Sequence, residues 1–482
     1  MIFNSLAFVV FLVVVFAMHW LPLSRSRRHQ NVVLLIASYV FYGWWDPRFL
    51  TLLLFSSLVD HFIGLKIAAT EDERQRRTYL WISMSTNLGL LFFFKYFNFF
   101  VGSFKEAFGL SEAASTLDII LPVGISFYTF QTMSYTIDVY RRQMEPSRNI
   151  IEFLTFVSFF PQLVAGPIER ARTLLPQIAK RRVFSYDQGV SGCRMILIGA
   201  FKKMVVADRI GPMVDVIFAD APGGWANVLG VVLFAFQIYC DFSGYSDMAI
   251  GTARLFGVEL MRNFDRPYFS RDVGEFWRRW HISLSTWFRD YVYIPLGGSR
   301  GDRLMVIRNV SIVFLVSGLW HGANWTFVIW GAIHAMLFLP LILLHQNKKN
   351  DRARVRFFPS GRDLFSMIFT FCLVCVAWIF FRAADIDHAI HYLFGLFDPD
   401  ANVIDDLRRV LRGLERTPLT LLIDLALIGM LLFFDRLTMI PAWRERILHR
   451  PALRYTGYAV LTATILLFGV FTDTRAFIYF QF

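Results

Sequence analysis

Charge is scarce in this chain: 18% of its residues are Asp, Glu, Lys or Arg, against 56% hydrophobic. That balance excludes an ordinary soluble domain, in which about a quarter of the residues are charged. Cysteine is scarcer still, with Cys193, Cys240, Cys372 and Cys375 all in apolar settings. Four such residues make no disulfide framework, and no Cys/His spacing matches a zinc site, so no metal is expected. Cys372-Leu-Val-Cys375 has the form of a redox motif, but it lies inside the apolar run Met367–Phe380. Thiols in that setting are expected to pack as small buried hydrophobes. A Gly-x-Ser-x-Gly elbow is missing, as is a cysteine with a neighbouring histidine, which removes the common nucleophile motifs. No internal repeat or low-complexity linker is visible, which weighs against transporters built from inverted repeats. The run Leu6–Ala17 has neither a basic segment before it nor a small-residue cleavage site after it. It is expected to remain as a membrane helix.

What the chain does have is apolar runs along its whole length. They predict one all-α polytopic membrane domain over residues 1–482, with roughly eleven or twelve crossings of ~20 residues each. The 13 Trp and 17 Tyr suit interfacial belts. A net charge of +12 would suggest nucleic acid in a soluble protein; here the basic residues sit in short loops and read as topology. Arg25, Arg27 and Arg28 follow the first run, which places the N-terminus outside and this loop in the cytoplasm. Val32–Trp45 then runs out and Leu52–Ala69 returns to Arg74, Arg76 and Arg77. Tyr79–Phe97 runs out, and Leu117–Val139 returns to Arg141 and Arg142.

The middle of the chain is less regular. Phe153–Ala165 is interrupted by Pro161 and has basic flanks on both sides, which predicts a re-entrant or kinked element. Met195–Val206 is split by Lys202 and Lys203. Val228–Ala249 is long enough to span but contains Asp241 and Asp247, six residues apart and so not on one helical face. Asp241 with Ser243 and Ser246 is expected to break or cap a helix there. Thr326–Leu344 ends at a basic loop, Lys348–Arg356, assigned to the cytoplasm. Leu364–Phe381, Leu419–Phe434 and Tyr455–Phe471 complete the spans. In the polar stretch 385–416, Ile386, Ile390, Leu393 and Leu396 recur at helical spacing, which predicts an amphipathic helix lying on the outer membrane face.

Two segments carry chemistry. Ser317-Gly-Leu-Trp-His-Gly-Ala-Asn-Trp325 places an imidazole, His321, among apolar residues, where a titratable group is costly and faces the protein interior or a wet cavity. If the stretch is one helix, Ser317, Gly318, Asn324 and Trp325 share the face of His321. The small residues then leave room for substrate, and Ser317 and Asn324 can fix the ring tautomer. Ile312–Trp320 alone is too short to cross ~30 Å of hydrocarbon, which places His321 within the membrane. The other reading is a core histidine bonded to a neighbouring helix. Glu275–Tyr291 is the second segment: Trp277, Trp280, Leu284, Trp287, Phe288 and Tyr291 recur at steps of three and four, opposite Arg278, Ser285 and Arg289. That pattern predicts a helix in the interface or plugging the centre of the protein, with His281 on its apolar side. Simple anchoring is the alternative for the helix. Gln131, Asp138, Glu169 and Asp60-His61 are read as structural contacts between helices, although Gln131 also qualifies as a supporting site residue.

With these segments in view the chain resembles the membrane-bound O-acyltransferase family, in the branch that modifies bacterial polysaccharides and nearest to its alginate-acetylating members. The residues that carry the likeness are Leu121-Pro-Val-Gly-Ile-Ser-Phe-Tyr-Thr-Phe-Gln131, Phe160-Pro-Gln-Leu-Val-Ala-Gly-Pro-Ile-Glu169, Asp241-Phe-Ser-Gly-Tyr-Ser-Asp247, Phe276–Gly298 and Trp320-His-Gly322. The resemblance implies that His321 and His281 are the catalytic pair; Trp320, Asn324, Ser317, Trp277 and Gln131 are the candidates to line the tunnel or support them. It further implies a central tunnel, a cytoplasmic thioester donor such as acetyl-coenzyme A, no bound cofactor, and periplasmic acetyltransferase partners in a cell inner membrane. An imidazole titrating at about 6.5 suits a general base for hydroxyl attack; an acyl-histidine route stays open. Arg141, Arg142, Arg181, Arg182, Lys202 and Lys203 are candidates for the donor's phosphates, or equally signals of topology. Acetylation of alginate is the leading expectation. Acetylation of cellulose or peptidoglycan and D-alanyl transfer to teichoic acid are same-class alternatives, and a polysaccharide or lipid flippase is the different-class one.

Overall fold

A computed structural model describes residues 1–21, 26–109, 117–344, 357–398, 402–471 and 477–478. Every regular element among the described residues is helical. The basic loop 348–356 and Arg25 lie outside the described residues. Among the described residues six helices are long and apolar enough to cross a membrane: Phe49–Ala69, Gly224–Leu255, Arg303–His321, Trp325–Leu343, Gly361–Arg382 and Pro418–Met439. The chain is a multi-pass membrane protein. Several other apolar runs fold as shorter or broken helices, among them Leu6–Trp20 with 15 residues and Ile125–Tyr140 with 16. Phe153–Ala165 is broken as Pro161 suggests, into Ile150–Ser158 and Phe160–Leu163.

The chain divides into two compact units. The first comprises Met1–Ile196 and Ser246–Met261. Its polar clamp is Asp60, whose carboxylate accepts from Ser83 Oγ at 2.6 Å and Asn87 Nδ2 at 2.8 Å, while Thr132 Oγ1 donates to Asn87 Oδ1 at 3.1 Å. Three helices are thereby tied by side chains that have no water to bond in an apolar interior. Gln131 Nε2 donates to the Phe156 carbonyl at 2.7 Å, and Glu169 accepts from the Met261 backbone N–H.

The second unit comprises Leu197–Tyr245 and Arg262–Phe482. The helix Gly224–Leu255 runs without interruption past Asp241, Ser243 and Ser246, so the expected break does not occur. Asp241 is satisfied sideways instead: Lys203 Nζ lies 2.7 Å from Asp241 Oδ1 and 2.8 Å from Asp208 Oδ1. Lys203 belongs to a wide helical turn, Phe201–Ala207, that continues the Tyr186–Ala200 helix. The helices Arg303–His321 and Trp325–Leu343 pack antiparallel at close range. A Cβ on Gly318 would stand 2.2 Å from the Phe327 carbonyl oxygen, and one on Gly331 2.4 Å from that of Phe314. These glycines serve backbone approach.

The helix expected from Ile386 onward is present, while the expectation of buried thiols needs correction. The stretch 385–416 forms Ile386–Gly395 and Val403–Gly413. In the first of these Ala389 and Tyr392 are fully buried, with Tyr392 stacked on Phe218 at 4.3 Å, while Ile390 and Phe394 point outward. The apolar surface is therefore split between a protein-facing and an outward side. The thiols divide likewise: Cys240 and Cys375 are buried, but Cys193 and Cys372 are exposed, because they fall on the outer faces of their helices.

Candidate active site

The His281 segment is two short helices, not one. Val273–Arg279 ends, Trp280 turns extended, and Ile282–Phe288 starts anew with His281 at its N-cap. His281 has φ of 42°, a left-handed conformation that a non-glycine residue adopts only when its surroundings hold it there. Periodicity had placed the ring on the buried side, and it is fully buried. The helical path between Trp277 and Leu284 is what fails.

Asn263 does the holding, and the sequence offered no signal for it. Its Oδ1 accepts from the Ser283 backbone N–H at 3.3 Å and Ser283 Oγ at 2.9 Å, and lies 3.1 Å from His281 Nδ1. A backbone N–H can only donate, so the shared atom is the amide oxygen, and His281 Nδ1 must carry the proton. Burial pushes the imidazole down to about 3, which keeps the ring neutral. In that tautomer Nε2 bears a lone pair. It can accept a proton but cannot donate to a developing oxyanion.

His321 is the last residue of the Arg303–His321 helix and is 3% exposed. The helix starts nine residues before the apolar run Ile312–Trp320, so the short-run argument for mid-membrane depth does not hold. Gly322 breaks the helix, which removes Asn324 and Trp325 from the face of His321. Asn324 instead caps the next helix, accepting from Thr326 N at 3.0 Å and donating to the Ala384 carbonyl at 2.8 Å. Trp325 faces outward. Gly318 and Gly322 are filled by the neighbouring helix rather than left as space, since a Cβ on Gly322 would stand 2.1 Å from the Phe327 ring. Ser317 stays buried one turn before the imidazole.

The two histidines meet. Their ring centroids are 6.3 Å apart at 61°, with Trp320 at 6.0 Å from His281 and 5.0 Å from His321. Phe242 stands edge-on to His281 at 4.7 Å, and Trp330 and Phe381 to His321 at 5.1 and 5.3 Å. A third histidine, His334, was not singled out by sequence and is fully buried beside Trp330 at 4.8 Å. Trp277, proposed as a supporting residue, donates its Nε1–H to His334 Nδ1 at 3.3 Å.

The cationic candidates are scattered. Arg141, Arg142 and Arg181 are exposed in the first unit. Arg182 is buried there and donates to Asn31 Oδ1 at 2.7 Å. Lys203 in the second unit is committed to its two aspartates, and Lys202 lies over the Tyr239 ring at 5.5 Å. Among the described residues no group of three or more His, Cys, Asp or Glu is placed to hold a metal ion.

Residues 141–378, which include both histidines, match the model of the membrane-bound O-acyltransferase family. Probable alginate O-acetylase AlgI of Azotobacter vinelandii is 40% identical over 415 residues, covering 85% of this chain and 80% of that protein. The chain belongs to the membrane-bound O-acyltransferase family. The AlgI protein of Pseudomonas aeruginosa is 39% identical over 90% of this chain and 83% of its own length. Peptidoglycan O-acetyltransferase of Helicobacter pylori is 35% identical over 77% and 75%. As a membrane-bound O-acyltransferase this protein is an enzyme of acyl transfer, which sets the flippase reading aside.

Proposed function

We propose that this enzyme moves acetyl groups from a cytoplasmic thioester, acetyl-coenzyme A, to an acceptor hydroxyl across the membrane, for O-acetylation of an exopolysaccharide. Alginate is the polymer favoured, because relatives named for alginate O-acetylation match four-fifths or more of this chain. The protein would act in the bacterial inner membrane with a periplasmic N-terminus and hand its product to periplasmic acetyltransferase proteins. One observation carries the chemistry: two buried imidazoles 6.3 Å apart in a site with no cysteine or serine nucleophile motif.

In this reading His321 removes the proton of the acceptor hydroxyl as its oxygen attacks the acyl carbon. The C–O bond forms, the C–S bond breaks, and the coenzyme A thiolate takes the proton back from His321. Such a base contributes roughly 10²–10⁴-fold. His281, neutral and with Nε2 free of a proton, supplies a fixed acceptor beside the base. The test is purified protein in lipid with acetyl-coenzyme A labelled in the acetyl group, plus the periplasmic proteins and polymer of the same system. Label should appear on the polymer as free thiol accumulates in equal amount. Label retained on coenzyme A, with native protein present, would rule the reading out.

A further inference from the structure

The geometry points to the N–H groups of Trp330, Trp378 and His334 as the donor set that receives the acyl carbonyl oxygen. This rests on the acetyl-transfer reading above and names the part of the site that binds the substrate's oxygen.

All three side chains are fully buried. Trp330 Nε1, Trp378 Nε1 and His334 Nε2 have no hydrogen-bond partner among the described residues. His334 Nδ1 accepts from Trp277, so the proton of the neutral ring sits on Nε2, and all three orphaned atoms are donors. Buried polar groups are satisfied as a rule, and each exception needs an explanation, a catalytic role being one. Of the three, Trp330 adjoins the reacting pair, and His334 and Trp378 pack on Trp330. Trp330 stands edge-on to His321 at 5.1 Å, His334 lies 4.8 Å behind Trp330, and Trp378 stacks with Trp330 at 5.9 Å. Trp378 also packs at 5.0 Å against Trp280, the residue before His281.

The chemistry calls for donors in this place. When the hydroxyl oxygen attacks, the carbonyl electron pair moves onto oxygen; when the C–S bond breaks, that pair re-forms the double bond. The oxygen carries charge only between these events, and donors aimed at it act on the transition state. His281 cannot serve, because Nδ1 is bound to Asn263 and Nε2 has no proton in the neutral ring. An acceptor-only ligand atom beside three donors with no other partner is the match. The carbonyl oxygen of a thioester is such an atom.

The test removes the N–H and keeps the ring. Trp330→Phe, and position 330 substituted with benzothienylalanine, which replaces N–H by sulfur in the same shape, are compared with the wild type at matched abundance. Removing one such donor costs roughly 10²–10³ in kcat, so kcat should fall by that order. Binding of two unreactive analogues separates position from packing: acetonyl-dethia-coenzyme A keeps a carbonyl in place of the thioester, and S-ethyl-coenzyme A has none. The substitutions should weaken the first and leave the second unchanged. A kcat within twofold of wild type for the benzothienylalanine form, or equal weakening of both analogues, overturns the assignment. If the wild type itself moves no acetyl group, the parent reading falls, and this one with it; if the wild type is active and the position 330 substitutions are silent, only the donor set falls.

Discussion

The rings of His281 and His321, forty positions apart in the chain, lie 6.3 Å from centroid to centroid and share Trp320 as a common neighbour. Neither sits in the middle of a regular helix. One opens a short helix in a left-handed conformation and the other closes a long one, so both imidazoles project from breaks in the backbone.

The Asn263 amide should control the first of these rings. Asn263→Ala removes the acceptor that fixes the Nδ1 proton, and kcat should fall roughly 10–100-fold, a part of what a positioned base contributes. Asn263→Asp keeps the acceptor but places an anion beside His281, which favours the charged ring and raises its pKa. Activity should then be lost at higher pH on the acid side than in wild type, where burial keeps His281 neutral. A pH profile of kcat decides this; identical acid limbs for wild type and Asn263→Asp would contradict the role.

Close packing between Arg303–His321 and Trp325–Leu343 gives a second expectation. Gly318→Ala forces a Cβ to within 2.2 Å of the Phe327 carbonyl oxygen. Overpacking of this kind costs about 1–3 kcal/mol, seen as a lower Tm in detergent and lower abundance. Gly429→Ala, where a Cβ meets nothing within 4 Å, is the control and should be neutral. Equal Tm values for the two variants would count against the packing account.

The Lys203 cluster should behave as a buried ion group. Lys203→Met leaves Asp208 and Asp241 without their cation and should lower stability by about 3–5 kcal/mol. Adding Asp208→Asn and Asp241→Asn removes the stranded charge and should restore accumulation in the membrane. Normal accumulation of Lys203→Met alone would show that the pair is dispensable.

Much of the fold was legible because membrane helices announce themselves by apolar length, and Phe49–Ala69, Trp325–Leu343 and Gly361–Arg382 fall where the runs lie. His321 stood out as an imidazole beside Trp320 and Gly322 in such a run, and His281 by its place on the apolar side of the Trp-rich segment together with the family resemblance. What stayed hidden depends on partners distant in sequence. Asn263 precedes the Glu275–Tyr291 segment in an irregular stretch and gains its meaning only when Ser283 and His281 fold onto it. His334 lies within an apolar run, as His321 does, but without the Trp-His-Gly context it gave no cue. Asn324 misled for a simpler reason: the break at Gly322 redirects it into a cap, and helical arithmetic does not cross a break.

The central claim is that His321 acts as the base for acyl transfer, and His321→Gln tests it most directly. Glutamine keeps hydrogen-bonding capacity but takes no proton at working pH. Polymer acetylation should be abolished in His321→Gln as fully as in His321→Ala, with both proteins inserted and present at wild-type levels. Near-normal acetylation by His321→Gln, with loss of protein in His321→Ala, would mark His321 as a structural histidine and contradict the account.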